Sequence, residues 1–198
     1  GASKQVRHAQ LGARLGWDPS ATSGVEIAGH IVSRSLANPI PGRIIDLDRT
    51  AMGLRVVGHH RWKAAWETTV GVELESQQDR RKEFANDGLD DDDIDRFRDD
   101  VILDRVRAGM QQIRQDESAL GLGLFTLTRW HPTPSVTLTA GARLDRHGFD
   151  IDDDLILVED GVLVDGDDSG DRSLVQWSPT LGATYTPSQR LTLYANLS

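Results

Sequence analysis

The chain holds 198 residues, 38% hydrophobic and 27% charged, with a formal net charge of −9. That acidity argues against a nucleic-acid partner, whose phosphates are held by Lys and Arg. No run of about 18 apolar residues occurs, which excludes a transmembrane helix, and the lack of cysteine removes thiolate metal sites and disulfides while leaving the compartment open.

A mean hydropathy of −0.41 looks soluble. A membrane β-barrel remains open, because only alternate residues of each strand need be apolar. Taken in order, residues 4–17 set Ala9, Leu11, Ala13, Leu15 and Trp17 against His8, Gln10, Gly12, Arg14 and Gly16. Period-2 alternation of this kind marks a strand with two different surroundings. Asp18-Pro19-Ser20-Ala21-Thr22 is a turn by composition. Residues 23–33 then set Val25, Ile27, Gly29 and Ile31 against Glu26, Ala28, His30 and Val32. Residues 34–49, with Pro and Gly, read as a long connection.

The strand at 50–63 sets Met52, Leu54, Val56, Gly58 and Trp62 against Gly53, Arg55, Val57, His59 and Arg61. After a short turn near Ala64-Ala65, residues 66–77 set Trp66, Thr68, Val70, Val72 and Leu74 against Glu67, Thr69, Gly71, Glu73 and Glu75. A long polar connection follows at 78–117. Within it Asp90 to Asp93 reads as a solvated run or a helix cap. Ile94, Phe97, Val101, Met110 and Ile113 lie roughly on one side of such a helix, and a hairpin rising above a membrane is the alternative. Residues 118–130 and 136–145 form the clearest hairpin: Leu120, Leu122, Leu124 and Trp130 oppose Gly121, Gly123, Phe125 and Arg129. An acidic connection spans 146–172. The last two strands, 173–185 and 191–198, are joined by Thr186-Pro187-Ser188-Gln189.

Three regularities choose among β architectures. Short and long connections alternate, as in an outer-membrane barrel with short periplasmic turns and long external loops. Trp17, Trp62, Trp66, Trp130 and Tyr185 lie on the apolar face beside the short turns, where an interfacial girdle places amphipathic rings. The apolar faces also carry no charge in mid-strand. The expected fold is all-β: an antiparallel up-and-down transmembrane β-barrel segment of about eight strands. A passive porin-like barrel and a soluble calcium-stabilised β-sandwich are the alternatives. The chain starts GASKQVRHAQ and stops at Leu197-Ser198 within a strand, so both ends read as cuts.

Several stretches resemble the barrel of TonB-dependent outer-membrane receptors. They are Thr69-Val70-Gly71-Val72-Glu73-Leu74-Glu75, Leu138-Thr139-Ala140-Gly141-Ala142-Arg143-Leu144-Asp145, Asp165 to Ser173, Ser178-Pro179-Thr180-Leu181-Gly182-Ala183-Thr184-Tyr185, and Leu193-Tyr194-Ala195-Asn196. The resemblance implies a parent barrel of about 22 strands with a plugged lumen, of which residues 1–198 are one partial barrel domain. It also implies location in the bacterial outer membrane against its lipid. The implied activity is import of a ferric siderophore or similar scarce nutrient, driven by TonB–ExbB–ExbD through a plug that this chain does not contain. Iron would then enter only as part of the chelate.

Candidate site residues follow from charge and position. Arg34, Arg43, Arg80, Arg81 and Lys82 are the external-loop cations expected to meet an anionic ferric chelate. Asp165, Asp167, Ser169 and Gly170 copy the first half of a calcium loop, but the twelfth position is Gln176, so the EF-hand pattern fails. A Ca²⁺ among Asp165, Asp167, Asp168 and Asp171 is one reading of that loop, and a solvated acidic surface the other. His59 and His60 point to opposite faces and share no metal easily. No nucleophile elbow, phosphate loop or paired-carboxylate motif occurs. Glu67, Glu73 and Glu75 with Arg55 and Arg143 read as a charge-mixed lumen wall, and the chain is not expected to be an enzyme.

Overall fold

The computed structural model describes residues 4–63, 65–89, 105–159 and 162–198. Among them ten strands form: β1 (Gln5–Ser20), β2 (Ser23–Ile40), β3 (Arg43–Lys63), β4 (Trp66–Asn86), β5 (Ala108–Thr133), β6 (Val136–Asp153), β7 (Leu157–Glu159), β8 (Val162–Asp165), β9 (Gly170–Ser188) and β10 (Leu191–Leu197). Eight make one antiparallel sheet in the order β1-β2-β3-β4-β5-β6-β9-β10, while β7 and β8 pair with each other inside the β6–β9 connection. Each strand of the large sheet therefore lies beside its predecessor in it, an up-and-down meander. No α-helix occurs among the described residues.

Among the described residues no sheet of comparable size packs on this one, which removes the β-sandwich alternative. In β5 exposure alternates residue by residue: Leu120, Leu122 and Leu124 are exposed, whereas Gly121, Gly123 and Phe125 are partly or fully covered. A water-soluble strand does the reverse, hiding its aliphatic face. The sheet encloses its polar face and presents its aliphatic face outward, as a barrel wall in lipid requires. Cross-strand register carries the apolar band across seven strands. Leu15, Ile27, Val56, Val72, Leu124, Leu144 and Trp177 form one continuous row.

Two expectations about connections are corrected. Residues 34–49 are not a long loop. β2 and β3 stay paired from Ser23↔His60 to Ile40↔Arg43 and meet at a two-residue turn, Pro41-Gly42. Gly42 has φ 78°, a left-handed conformation that a β-carbon disfavours. The connections at 78–117 and 146–172 also shrink, since β4 runs to Asn86, β5 starts at Ala108, β6 runs to Asp153 and β9 starts at Gly170. Met110 and Ile113 thus sit on a strand, in keeping with the hairpin alternative. Ile94, Phe97 and Val101, and Asp90 to Asp93, lie outside the described residues.

The reason is physical. A membrane-crossing strand needs only about 9–11 residues, whereas β3 and β4 have 21 each and β5 has 26. Twenty-one residues extend about 70 Å. Beyond the membrane both faces of a strand meet water, so the ladder continues while the apolar alternation that reveals it stops. The outer face itself shows the change: Met52, Leu54 and Val56 give way to Thr50, Asp48 and Asp46 on β3, and Leu120 to Ser118, Asp116 and Arg114 on β5.

At the far end two connections are latched together. The Gly42 amide donates to the Leu89 carbonyl at 2.8 Å, and the Asn86 amide donates to the Gly42 carbonyl at 3.2 Å. The Asn86 side chain adds Nδ2 to the Ile40 carbonyl at 3.0 Å, and its Oδ1 accepts from the Arg107 amide at 3.2 Å. Leu89 is fully buried at the junction. Asn86→Ala would leave the Ile40 carbonyl and the Arg107 amide without these partners, a cost of about 1–3 kcal/mol. Amide exchange should rise at residues 40–42 and 107–108 and stay unchanged at 66–77. Unchanged exchange at 40–42 would show that the latch does not hold the hairpin tip.

Candidate ligand-facing wall

The enclosed face of the sheet carries two polar zones, one above the other. In the lower zone Glu73 on β4 reaches Arg55 on β3 at 3.0 Å and Arg143 on β6 at 2.7 Å, and Arg143 also meets Asp145 at 2.8 Å. Phe125 on β5 lies between the two guanidiniums, 5.5 Å from Arg55 and 5.8 Å from Arg143, each a cation–π distance. The ring covers Gly71, where a β-carbon would come within 2.3 Å of Phe125 Cζ. Glycine there makes room for the ring. Arg129–Glu67 at 3.8 Å and an Arg14–Glu26 contact extend the charge-mixed wall foreseen in the sequence.

The upper zone lies on the strand extensions beyond the apolar band. Arg49 on β3 grips Asp79 on β4 with two hydrogen bonds, Nε–Oδ1 at 2.8 Å and Nη2–Oδ2 at 2.5 Å, and Gln77 donates to the same carboxylate at 3.2 Å. Arg81 donates to Glu83 from Nε at 3.0 Å and lies 3.7 Å from Glu117. Arg43 approaches Glu83 from the other side at 3.6 Å. Asp79 and Glu83 are buried. The hydrogen bond to Asp79 raises the Arg49 pKa above its ordinary value, and that to Glu83 does the same for Arg81. Both guanidiniums are charged at any working pH.

The five cations expected to meet a ligand are divided by the pleat. Arg34, Arg43 and Arg81 stand on the enclosed face, in strands rather than loops. Arg80 and Lys82 occupy the opposite face, where Arg80 pairs with Asp116 at 3.8 Å. The proposed calcium loop leads into β9. Hydrogen bonds from the Ser169 hydroxyl and from its amide, the latter at 2.9 Å, hold the Asp167 carboxyl below the usual range, while Asp171 sits on β9 opposite Asp150. Among the described residues no three acidic or imidazole side chains converge as metal ligands do. Trp17, Trp62, Trp66, Trp130 and Tyr185 are all exposed on the aliphatic side beside the short turns, and Trp66 and Trp130 stack at 5.3 Å.

A family model described as TonB dependent receptor-like, beta-barrel matches residues 5–198. The chain belongs to the TonB-dependent receptors. Curated protein sequences yield no match. Solved structures share the fold. The ferric yersiniabactin uptake receptor FyuA from Yersinia pestis superposes with a TM-score of 0.65 at 12% identity, over 96% of this chain and 28% of FyuA. The siderophore receptor PiuA from Acinetobacter baumannii gives 0.71 at 10% identity, over 98% of this chain and 32% of PiuA. The copper transporter OprC gives 0.64 at 17% identity, over 96% of this chain and 29% of OprC. The chain thus spans about a third of the length of the solved proteins that it matches, and receptors of this family are transporters rather than enzymes.

Within this receptor wall, sequence reasoning missed Arg49, Asp79, Glu83 and Asn86. A signal was present. Asp79, Arg81 and Glu83 keep the period-2 spacing of Glu73, Glu75 and Gln77 unbroken, and Arg43, Arg49 and Arg55 keep it on β3. Following parity past the last aliphatic residue would have placed Arg49, Asp79 and Glu83 on one face, while Asn86 falls outside that parity.

Proposed function

We propose that this chain is part of an outer-membrane receptor that imports a ferric siderophore, with energy delivered by TonB–ExbB–ExbD through a plug lying outside this chain. The observation that carries the reading is the family match across residues 5–198. Two of the three structural relatives named above are receptors for siderophores or their ferric complexes. The aliphatic outer band supports residence in a bilayer, and the strand extensions with their rigid charged inner face supply a surface on which a chelate can settle. Passive diffusion through a porin-like barrel is the second reading, favoured only by the polar lumen face that any such barrel shares.

The test is uptake. Cells carrying the full-length gene and those deleted for it are grown under iron limitation with a panel of radiolabelled ferric siderophores. Loss of uptake of one chelate on deletion, and again on removal of TonB, is the expected result. Uptake that persists without TonB would overturn active import in favour of diffusion.

A further inference from the structure

On β2, β3 and β4 four arginines share the enclosed face of the strand extensions, Arg34, Arg43, Arg49 and Arg81, and three of them are occupied by the wall itself. Arg49 is closed bidentately on Asp79, Arg81 is taken by Glu83 and Glu117, and Arg43 leans on Glu83. Arg34 differs. Its Nε is buried and has no hydrogen-bond acceptor among the described residues. The side chain as a whole is only half-buried, so the guanidinium is reachable from the enclosed side. Its direct cross-strand neighbours are Arg49 on β3 and His8 on β1. Neither neighbour offers it a carboxylate, and a covered donor without an acceptor is unfavourable unless something fills the vacancy.

We infer that Arg34 is the anion-recognising residue of this wall, a binding site for one oxyanion group (carboxylate or phosphate) of the transported molecule. The inference rests on the receptor reading above and narrows it: the ligand carries an anionic group, and Arg43, Arg49 and Arg81 hold the wall's shape instead of reading the ligand. An oxyanion accepts the fork of N–H groups that Arg34 offers. It also supplies the acceptor that Arg34 lacks.

The experiment uses the full-length protein in detergent with two probes, inorganic pyrophosphate and ferric citrate, and three variants: Arg34→Gln, Arg34→Lys and Arg80→Gln. Arg80 lies on the other face, so its loss reports only diffuse electrostatics. Expected are at least a tenfold weakening of both probes by Arg34→Gln, partial recovery in Arg34→Lys, and no change in Arg80→Gln. Equal effects of Arg34→Gln and Arg80→Gln, or wild-type affinity in Arg34→Gln, would overturn the assignment. Pyrophosphate binding that depends on Arg34, together with failure of every ferric chelate to bind the wild type, would retain the anion site and dismiss the receptor reading.

Discussion

Leu124→Arg is expected to stop the full-length protein from assembling in the outer membrane. Leu124 lies mid-strand on the aliphatic face between Val72 and Leu144, and its side chain is 59% exposed. In a soluble protein an arginine there would be harmless. On the lipid face of a barrel it costs about 2–4 kcal/mol near the bilayer midplane, a large part of a stability of about 5–15 kcal/mol. Leu174→Arg is the matched control. Leu174 is also exposed, at 46%, but pairs with His147 on the enclosed face, so the charge meets water and changes stability by about 0.5 kcal/mol or less. The readout is the heat-modifiable band of folded protein in outer-membrane fractions. Assembly of Leu124→Arg with failure of Leu174→Arg would mean that the two faces are assigned the wrong way round.

The second large effect concerns the Arg49–Asp79 pair, where the two partners are not equivalent. The Asp79 side chain is 3% exposed and that of Arg49 is 33% exposed. Arg49→Ala strands a buried carboxylate and should cost about 3–5 kcal/mol. Asp79→Ala leaves a guanidinium that water already reaches, and the cost falls to about 1–3 kcal/mol. The double change to Leu at both positions should recover most of either loss, because the desolvation of both charges disappears with them. Denaturant melts of the full-length protein would rank the variants, and equal losses for the two single changes would show that burial does not set the energetics. The pH dependence has a definite sign. The Arg49 pKa is raised in the folded state, so its contribution is complete below the ordinary arginine value and is lost only as pH rises through the higher folded value. Across pH 6–9, roughly the working range, the Arg49 contribution should be flat.

Legibility of the fold in the sequence tracked the contrast between lipid and water. Where Leu120, Leu122 and Leu124 face hydrocarbon and Gly121, Gly123 and Phe125 face the lumen, the two-residue period is sharp, and the turn of the hairpin at 118–145 could be placed within a few residues, although its strands run on to Ala108 and Asp153. The same contrast marks Trp66 and Trp130 at the turns. It vanishes at Ser33 and Thr50, beyond which β2 and β3 continue with polar residues on both sides. A period with no amplitude looks like a loop, which is why 34–49 was expected to be one. The Pro41-Gly42 pair in its middle was the remaining clue, a tight turn rather than a long connection. The charged wall was half legible for the same reason. Arg34, Arg43 and Arg81 were singled out by charge, but charge alone does not say which side of a pleat a residue occupies, so Arg80 and Lys82 were grouped with them. Nothing in the sequence distinguishes Arg34 from Arg49. That distinction needs the register that sets Asp79 beside one and not the other.

The latch between Gly42 and the Asn86–Leu89 turn ties two segments that evolution would otherwise vary independently. Lengthening the β2–β3 tip by even one residue breaks its bonds to the neighbouring connection, and an insertion between Asn86 and Leu89 does the same from the other side. Homologous receptors that keep this junction should therefore change length at both places together or at neither. Diversity in loop length is then displaced to the β6–β9 connection, which has its own small hairpin and no described bond to the latch. For anyone wishing to graft an epitope onto this receptor, the inviting Pro-Gly pair at 41–42 is the poor choice and the acidic stretch before β9 the better one.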